Sequence, residues 1–381
     1  MATKKDYNKL ALALHKKLKG KIEIRTKGSL KTKDDWSTMY SPGVGAVSLH
    51  LAKYPSQSRE YTLRRNTVAV VSDGSAVLGL GNLGAIPSLP VMEGKCAIFK
   101  EMADVDAFPI TLDTQEPEEI IRIVKAIAPN FGGINLEDIA APKCFYIEER
   151  LKEELDIPVM HDDQHGTAIV ALAGLINSAK VVKKKLEDMK VVIVGAGAAG
   201  TAITKLLSLA GIKHIIVTDS QGAIYQGRPG LSKHKLEIAQ ITNREKISGD
   251  VLQVTDGADA LIGVSGPGTI AQAHIQIMNE QPIVFALANP IPEIMPKDAK
   301  RAGAAVVATG RSDLPNQINN SLVFPGIFRG ALDKGVNAIT DDMKLAAAKK
   351  LAGLIKKPTA ENVIPAINTP GLVKAVSSVI K

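Results

Sequence analysis

The 381-residue sequence has only two cysteines, few aromatic residues and no long hydrophobic run. Cys96 and Cys144 lie far apart and neither belongs to a CxxC pair, which excludes a zinc knuckle and a disulfide framework. This cysteine usage is typical of a reducing compartment. No segment approaches the ~18 consecutive apolar residues of a membrane-spanning helix, and the N-terminus lacks the apolar core of a signal peptide. We therefore expect a cytoplasmic protein with no membrane partner.

Positive charge exceeds negative charge, but its pattern does not predict a nucleic-acid partner. Lys and Arg number 47 against 39 Asp and Glu, which gives a net charge of +8, while aromatic residues make up 4% of the chain. The basic runs at 16–19 and 183–185 are not interleaved with aromatic residues, as nucleic-acid-binding surfaces usually are. A modest positive field would still attract an anionic substrate.

Two short apolar runs end in adjacent carboxylates, Glu137–Asp138 in the first and Asp162–Asp163 in the second. The interval 141–155 has the composition of one helix, so the segment reads as a βαβ unit with parallel strands. The carboxyl ends of both strands then meet at one edge of a sheet, where ligands bind in open parallel sheets. Acidic residues also cap helices, and Asp163 could be such a cap. Two pairs at neighbouring strand ends favour a divalent cation, Mg²⁺ or Mn²⁺.

Two further residues of the first half have side chains that acid–base chemistry uses. Tyr40 starts a rigid Tyr-Ser-Pro-Gly-Val turn, and it is either a half-buried structural residue or a positioned proton donor. Lys95 follows Gly94 and precedes an apolar run, and it is either a surface lysine or a base with a lowered pKa. The remaining patterns predict helices at 4–18 and 116–128, strands at 66–73 and 108–113, and a glycine turn at 79–84 that lines the site.

The second half contains a dinucleotide-binding fingerprint. A strand beginning at Lys190 leads into a GxGxxG loop and a helix at 202–209, and the next strand, 215–219, ends in Asp219, 19 residues after the last glycine. Asp219 could bond the ribose hydroxyls. Gln221 follows where a cation would help to hold a 2′-phosphate, so the sequence favours NAD over NADP. The loop comprises Gly195, Ala196, Gly197, Ala198, Ala199 and Gly200.

Three more apolar segments, 259–264, 283–287 and 304–308, predict further strands of this domain. Asn289 follows the second of them and reflects either turn chemistry or the orientation of a cofactor amide or substrate carboxylate. Asn320 lies in a second Asn-rich turn, which is more polar than a turn requires. Helices are predicted at 340–356 and 372–381. The fold class is therefore α/β: an N-terminal α/β domain that binds substrate and metal, a Rossmann-type doubly wound parallel-sheet domain, and C-terminal helices.

Taken together, these motifs resemble the malic enzyme family in its short bacterial and archaeal form. They come in the family's order and cover about residues 36 to 330. The matching stretches are Tyr40 to Val44, Leu78 to Gly84, Gly94 and Lys95, Asn135 to Ile139, His161 to Thr167, Val194 to Gly200, Ala288 to Pro290 and Asn319 to Gly326.

The resemblance implies oxidative decarboxylation of malate to pyruvate and CO₂, with reduction of NAD or NADP and a requirement for Mn²⁺ or Mg²⁺. It implies that Lys95 is the general base, with Asp162 beside it, and that Tyr40 is the general acid. It also implies a homodimer with N-terminal and C-terminal helices at the interface. The implied cation ligands are Glu137, Asp138 and Asp163. The domains are expected at 1–165 for malate and metal, 166–335 for the nucleotide and 336–381 for the C-terminal helices.

One departure from the family concerns substrate binding. Long-form members carry an arginine for a substrate carboxylate just before the Leu-Gly-Leu-Gly turn, where this chain has Ser75 and Ala76. Asn289, Asn320 or a partner subunit could hold that carboxylate instead. Two alternatives are an amino-acid or methylene-folate dehydrogenase, which needs no metal, and a nucleotide-sensing protein that has lost its chemistry.

Overall fold

Two parallel β-sheets, one in each half of the chain, organise the computed structural model, which describes residues 6–381. Four helices precede the first sheet, and within the described residues up to 66 no side chain is buried. The N-terminal part of the expected helix 4–18 lies partly outside the described residues. These first helices are α1 Tyr7–Leu18, α2 Lys33–Met39, α3 Val44–Lys53 and α4 Ser58–Tyr61.

The first sheet has four parallel strands in the order β2-β1-β3-β4. Its strands and helices are β1 Thr67–Ser72, α5 Ala85–Ala103, β2 Asp106–Thr111, α6 Pro117–Ile127, β3 Gly133–Leu136, α7 Lys143–Glu154 and β4 Val159–His161. Leu136 pairs with His161, so the predicted βαβ unit is confirmed and the two acidic pairs follow adjacent strand ends.

The second sheet has six strands in the order β10-β9-β8-β5-β6-β7, all parallel except the short β7. Its elements are α8 Asp162–Val181, β5 Lys190–Val194, α9 Ala198–Leu209, β6 His214–Asp219, β7 Gly222–Ala223, α10 Lys233–Ile241, α11 Val251–Thr255, β8 Ala260–Gly263, α12 Gln272–Gln276, β9 Ile283–Ala286, α13 Pro296–Arg301 and β10 Val306–Thr309. The chain ends with α14 Phe324–Lys334, α15 Asp341–Gly353 and α16 Leu372–Ser377.

Helix α8 connects the halves and is buried along most of its length. One continuous cluster of buried side chains reaches from β1 and α5 through α8 to β5, α14 and α15. Separate clusters cover the other face of each sheet. The start of α8, and with it Asp162 and Asp163, is therefore held between the two sheets. In the part of the chain that the structure describes, no helix has the length and apolar character needed to cross a membrane.

The main difference from the sequence predictions is α5, which carries Lys95. Pro90 and Gly94 weaken the helical pattern there, yet the helix forms because Met92, Cys96 and Phe99 are buried on its inner side. Smaller differences are boundaries: the strand expected at 108–113 lies at 106–111, and the helix expected from 202 begins at 198.

Candidate active site

Lys95 is a buried lysine held between two buried carboxylates. Its ammonium group lies 2.5 Å from Asp162 Oδ2 and also forms an ion pair with Glu137. Its Nζ also lies over the ring of Phe324, 4.3 Å from the ring centroid. Burial would lower the pKa of Lys95, but the charges of Asp162, Glu137 and Asp163 outweigh burial and raise it. The surface-lysine alternative is therefore wrong, and the expected lowering of the Lys95 pKa is wrong as well, because the neighbouring carboxylates raise it.

Three carboxylates at the same sheet edge have the geometry of a cation site. Glu137, Asp138 and Asp163 each offer an oxygen atom, and these oxygens lie within 4.8 Å of one another. Burial, reinforced by the charge of Asp163, raises the pKa of Asp138 to about 7, and burial with the same neighbour raises the pKa of Glu137. Asp138 Oδ2 is buried and lacks a hydrogen-bond partner among the described residues. Several hard oxygen atoms with uncompensated charge fit Mg²⁺ or Mn²⁺.

Asp138 is held rigidly in this cluster by the backbone. It has a φ of +52°, a left-handed conformation that costs an Asp of order 1 kcal/mol. Its carbonyl accepts a bond from Ala76 N at 2.9 Å, and its Oδ1 accepts one from Leu78 N at 3.3 Å. Asp138 N in turn donates to Asp163 Oδ2 at 2.8 Å. The turn after β3 is thus fixed to the first turn of α8 and to the 76–78 loop.

Another buried carboxylate, that of Glu148 in α7, is bonded to residues at the start of α8. It accepts hydrogen bonds from His161 N at 3.0 Å and from Gln164 Nε2 at 3.1 Å. His165 and Lys152 also contact it, at 2.9 and 2.7 Å. Burial would raise the pKa of Glu148, but His165 and Lys152 hold it well below its usual range. Since α8 has no side-chain cap of its own, Glu148 fixes the turn that presents Asp162 and Asp163.

The structure brings Asn320 to the cluster and leaves Tyr40 at the surface. A Cβ atom placed on Gly166 would lie 1.9 Å from Asp162 Oδ1 and 2.9 Å from Asn320 Cβ, so Asn320 packs against the first turn of α8. Tyr40 ends α2, is 66% exposed, and makes no side-chain hydrogen bond within residues 6–381. Tyr40 is therefore not half-buried, and the single chain does not enclose it in the site.

Asn289 contacts the first domain at the turn after β9. A Cβ atom on Gly79 would lie 1.7 Å from the Asn289 carbonyl oxygen, so only glycine lets the 78–84 loop approach this turn. The Asn289 amide packs against Gly310, where a Cβ atom would lie 2.5 Å from Nδ2. Asn289 thus lies where the two sheet edges meet.

The GxGxxG loop that begins at Gly195 lines a cavity of about 790 Å³. Gly195 has a φ of +119° and passes close to the Val264 carbonyl, while Gly200 packs on the Gly195 carbonyl. Gly197 has open space beside it. Helix α9 begins at Ala198 without a side-chain cap, so its first N–H groups point into the cavity and suit a pyrophosphate.

Asp219 lines this cavity, but its carboxylate is already paired. Arg228 Nη1 and Nη2 lie 3.0 and 2.5 Å from its two oxygens, Lys235 Nζ lies 2.7 Å away, and Gln221 N donates to it at 2.9 Å. These donors hold the pKa of Asp219 well below its usual range despite partial burial. The sequence argument that no cation accompanies Asp219 is wrong, because Lys235 also lines the cavity.

Two family models match the chain. One, described as the malic enzyme N-terminal domain, matches residues 19–152, and the other, described as the malic enzyme NAD binding domain, matches residues 164–380. The chain belongs to the malic enzyme family. This membership decides against a dehydrogenase of another family, and the predicted resemblance and fold class are confirmed.

Individual malic enzymes are similar along nearly the whole chain. The NAD-dependent malic enzyme of Geobacillus stearothermophilus is 55% identical, over 95% of this chain and 76% of its own length. The bifunctional malic/malolactic enzyme of Bacillus subtilis is 52% identical, over 93% of this chain and 88% of its own. The crystal structure of the NAD-dependent malic enzyme of Thermotoga maritima superposes with a TM-score of 0.94 at 49% identity, covering 97% and 98% of the two chains. NADP-dependent malic enzymes are also among the relatives.

Sequence reasoning missed several residues of this malic enzyme site. Glu148 reads as an ordinary helix acid, and nothing in the sequence places it behind Asp162. Arg228 and Lys235 come 9 and 16 residues after Asp219, too far for a local charge pattern to link them.

Proposed function

We propose that this malic enzyme oxidises malate and decarboxylates the product to pyruvate, reducing a nicotinamide nucleotide with the help of a divalent cation. The observation that carries the proposal is the contact of buried Lys95 with Asp162 and Glu137 at the edge that also holds Asp138 and Asp163. A base, a cation site and a nucleotide cavity then meet between the two sheets, as hydride removal followed by loss of CO₂ requires.

Lys95 is assigned as the base that takes the proton of the malate 2-hydroxyl. A bound divalent cation supplies Lewis-acid chemistry, polarising the 2-keto oxygen and so favouring loss of CO₂. Glu137, Asp138 and Asp163 would hold that cation. The charge of the cation would also offset the carboxylates that keep Lys95 protonated, and the neutral amine is the form that a base needs. Asp162 orients the amine, and Tyr40 is assigned to protonate the enol carbon.

Recognition of the substrate is assigned to polar side chains on both sides of the cleft. Asn320 lies beside Asp162 and Asn289 lies at the contact between the sheet edges. Their amides can donate to carboxylate oxygens. We assign malate and metal to residues 1–165, the nucleotide to 166–335, and to 336–381 a packing role in which α15 and α16 cover the shared core.

Both NAD and NADP are accepted in this proposal. All four bonds to the Asp219 carboxylate are made by protein donors, so it has little capacity left for the ribose hydroxyls. One acid accompanied by two cations leaves net positive charge, which suits a 2′-phosphate. The nucleotide is held by the loop Gly195, Ala196, Gly197, Ala198, Ala199 and Gly200, with Asn289 at the far end of the cleft.

A homodimer is the proposed working form, in the cytoplasm. The N-terminal helices and the segment between α1 and α2 expose large apolar side chains, including Leu12 at 76%, Ile24 at 87% and Leu49 at 75%. Exposed apolar surface of this extent is characteristic of an interface. Tyr40 belongs to the same exposed segment. Its assigned role therefore requires dimerisation, which would bring it next to the acidic cluster of the partner subunit. Sedimentation at micromolar concentration tests the dimer, and a monomeric, fully active enzyme contradicts it.

The proposed location is the cytoplasm. The two free, buried cysteines suit this reducing compartment, and cell fractionation tests the location.

The test of the reaction is an absorbance assay at 340 nm with malate and each nucleotide, together with a separate assay for pyruvate. We expect reduced nucleotide and pyruvate in equal amounts, loss of both after chelation, and recovery with Mn²⁺ or Mg²⁺. Full activity in the presence of a chelator, or nucleotide reduction without pyruvate, contradicts the proposal.

A further inference from the structure

The site is strongly acidic, so it lacks the positive charge that a substrate with two carboxylates needs. Malate carries two carboxylates, whereas within residues 6–381 Lys95 is the one lysine or arginine that contacts the cluster of four acidic side chains. A divalent ion would still leave the cluster short of positive charge for a dianion. Burying an unpaired carboxylate is costly, so a further cation near the cleft is required. This step depends on the proposed function.

Arg311 is placed to meet this requirement. It follows β10 after Thr309 and Gly310, at the carboxyl edge of the second sheet. Its Nη1 donates to the Pro290 carbonyl at 3.0 Å, which lays the guanidinium over the turn that carries Asn289. Gly310 packs directly on the Asn289 amide. Arg311 and Asn289 therefore present donors from adjacent strand ends.

The guanidinium is oriented and still has donors to spare. Nε and Nη2 each donate to Asp313, both at 2.8 Å, which fixes the plane of the group. These two bonds and the bond to Pro290 use three of its five N–H groups. One N–H on Nη1 and one on Nη2 remain, and a carboxylate can accept from such a pair. The Arg311 side chain is 34% exposed, so a small molecule can reach it.

One loop connects Arg311 with the acidic cluster. Leu78 N donates to Asp138 Oδ1, and the adjacent Gly79 packs on the Asn289 carbonyl. The cluster and the Asn289 turn are therefore neighbours across residues 78–79. Lys143, a cation of the first-sheet side, is paired with buried Asp73 at 2.6 Å and donates to the Gln115 carbonyl at 3.1 Å, so one of its three N–H groups remains. Arg311, although paired with Asp313, keeps two N–H groups and lies on the second-sheet side of the cleft.

We propose that Arg311 binds a carboxylate of malate, and that this is the carboxylate retained in pyruvate. A cation on the other carboxylate would stabilise the charge that must leave as CO₂, and so would oppose the reaction. Holding the retained carboxylate binds substrate and product without this penalty. Asp313 is the positioning residue that orients the guanidinium.

The test compares Arg311→Gln with Arg301→Gln, a matched control on α13 whose arginine is paired with Asp298 at the surface. Calorimetry with the Mn²⁺- and NADH-loaded enzyme measures binding of malate and, separately, pyruvate. We expect Arg311→Gln to weaken both by about 10- to 100-fold, since charged hydrogen bonds are lost, while NADH binding is unchanged. Arg311→Lys should recover only part, because lysine cannot make the paired contact.

Several outcomes would overturn the proposal. Wild-type affinity for malate in Arg311→Gln removes Arg311 from substrate binding. Weakened malate binding with normal pyruvate binding shows that the retained carboxylate is not its partner. Equal loss of NADH, malate and pyruvate binding indicates a structural role only. Failure of the wild-type enzyme to bind malate contradicts the proposed function itself, which separates the two claims.

Discussion

The ammonium group of Lys95 and the carboxylate of Asp162 lie 2.5 Å apart and are both buried, at 6% and 0% side-chain exposure. Because this lysine is almost fully enclosed, the position of its ammonium group is set by the carboxylates that it contacts. The pair joins α5 of the first domain to the start of α8, so the proposed base is connected directly to the helix that carries the proposed cation ligand Asp163.

Replacing Lys95 with Met should abolish malate oxidation because it removes the proton acceptor. Nucleotide binding should persist, since the glycine loop is separate. The variant also leaves buried carboxylates unpaired, which costs roughly 3–5 kcal/mol where no cation compensates. Steady-state assays and NADH fluorescence measure the two effects. Lys100→Met, on an exposed face of the same helix, is the control, and full activity in the Lys95 variant would remove the residue as base.

Tyr40→Phe should separate the two halves of the reaction. Without its phenol the enzyme should still decarboxylate added oxaloacetate, but it should release pyruvate more slowly because protonation of the enol carbon is impaired. Following oxaloacetate loss and pyruvate formation in the same sample measures this. Tyr54→Phe, another exposed tyrosine of the N-terminal segment, should behave as wild type. An unchanged turnover in Tyr40→Phe would clear Tyr40 of the role.

Lys235→Gln should change the choice of nucleotide. Removing this ammonium group takes away a partner for a 2′-phosphate, so KM for NADP should rise about tenfold or more, while KM for NAD stays close to wild type. Kinetics with both nucleotides and direct titration of NADPH and NADH measure the ratio. Lys233→Gln, two residues away on α10, is the control. Equal effects on both nucleotides would place Lys235 outside phosphate recognition.

His165 should contribute a loss of stability as the pH is lowered from about 6.5 towards 4, against the raised pKa values of Asp138 and Glu137, which act in the opposite direction. Burial lowers the pKa of His165 from 6.5 to about 4 against the opposing charge of Glu148, and Lys344 and Lys152 also lower it. At this imidazole the unfolded chain therefore binds a proton in this window that the folded chain does not, so the His165 contribution to stability rises with pH by at most about 1.4 kcal/mol per unit.

Urea unfolding of the metal-free enzyme between pH 4 and 7.5 measures this effect. His165→Asn should lower the slope of the unfolding free energy against pH relative to that of the wild type, whereas His214→Asn, at an exposed position, should leave the slope unchanged. Identical slopes for the wild type and His165→Asn would show that the imidazole is not held neutral by the fold.

Local patterns in the sequence were sufficient for most strands of the two sheets and for the meeting of the four carboxylates at one sheet edge. The run before Glu137 and the run before Asp162 are apolar strands followed by acids, so parallel pairing placed all four carboxylates at one edge. The glycine loop followed from spacing alone. These features depend on residues close together in the chain, or on rules that every parallel sheet obeys.

The parts that could not be predicted depend on contacts between distant segments. Helix α5 forms despite Pro90 and Gly94 because one side of it is buried, and a local sequence pattern does not reveal that burial. Glu148 becomes a support for α8 only once α7 crosses behind it. Arg228 and Lys235 contact Asp219 from 9 and 16 residues further along the chain, so the argument from Gln221 alone missed both cations.

The proposed function depends on the cation site, and crystals grown with Mn²⁺ test that site most directly. An anomalous difference map at the manganese edge should show one strong peak per chain, bounded by Glu137, Asp138 and Asp163 and adjacent to Lys95. Asp163→Asn should lose that peak and keep the fold. A map of the wild-type enzyme without density among these carboxylates, or with its peak elsewhere, would contradict the account.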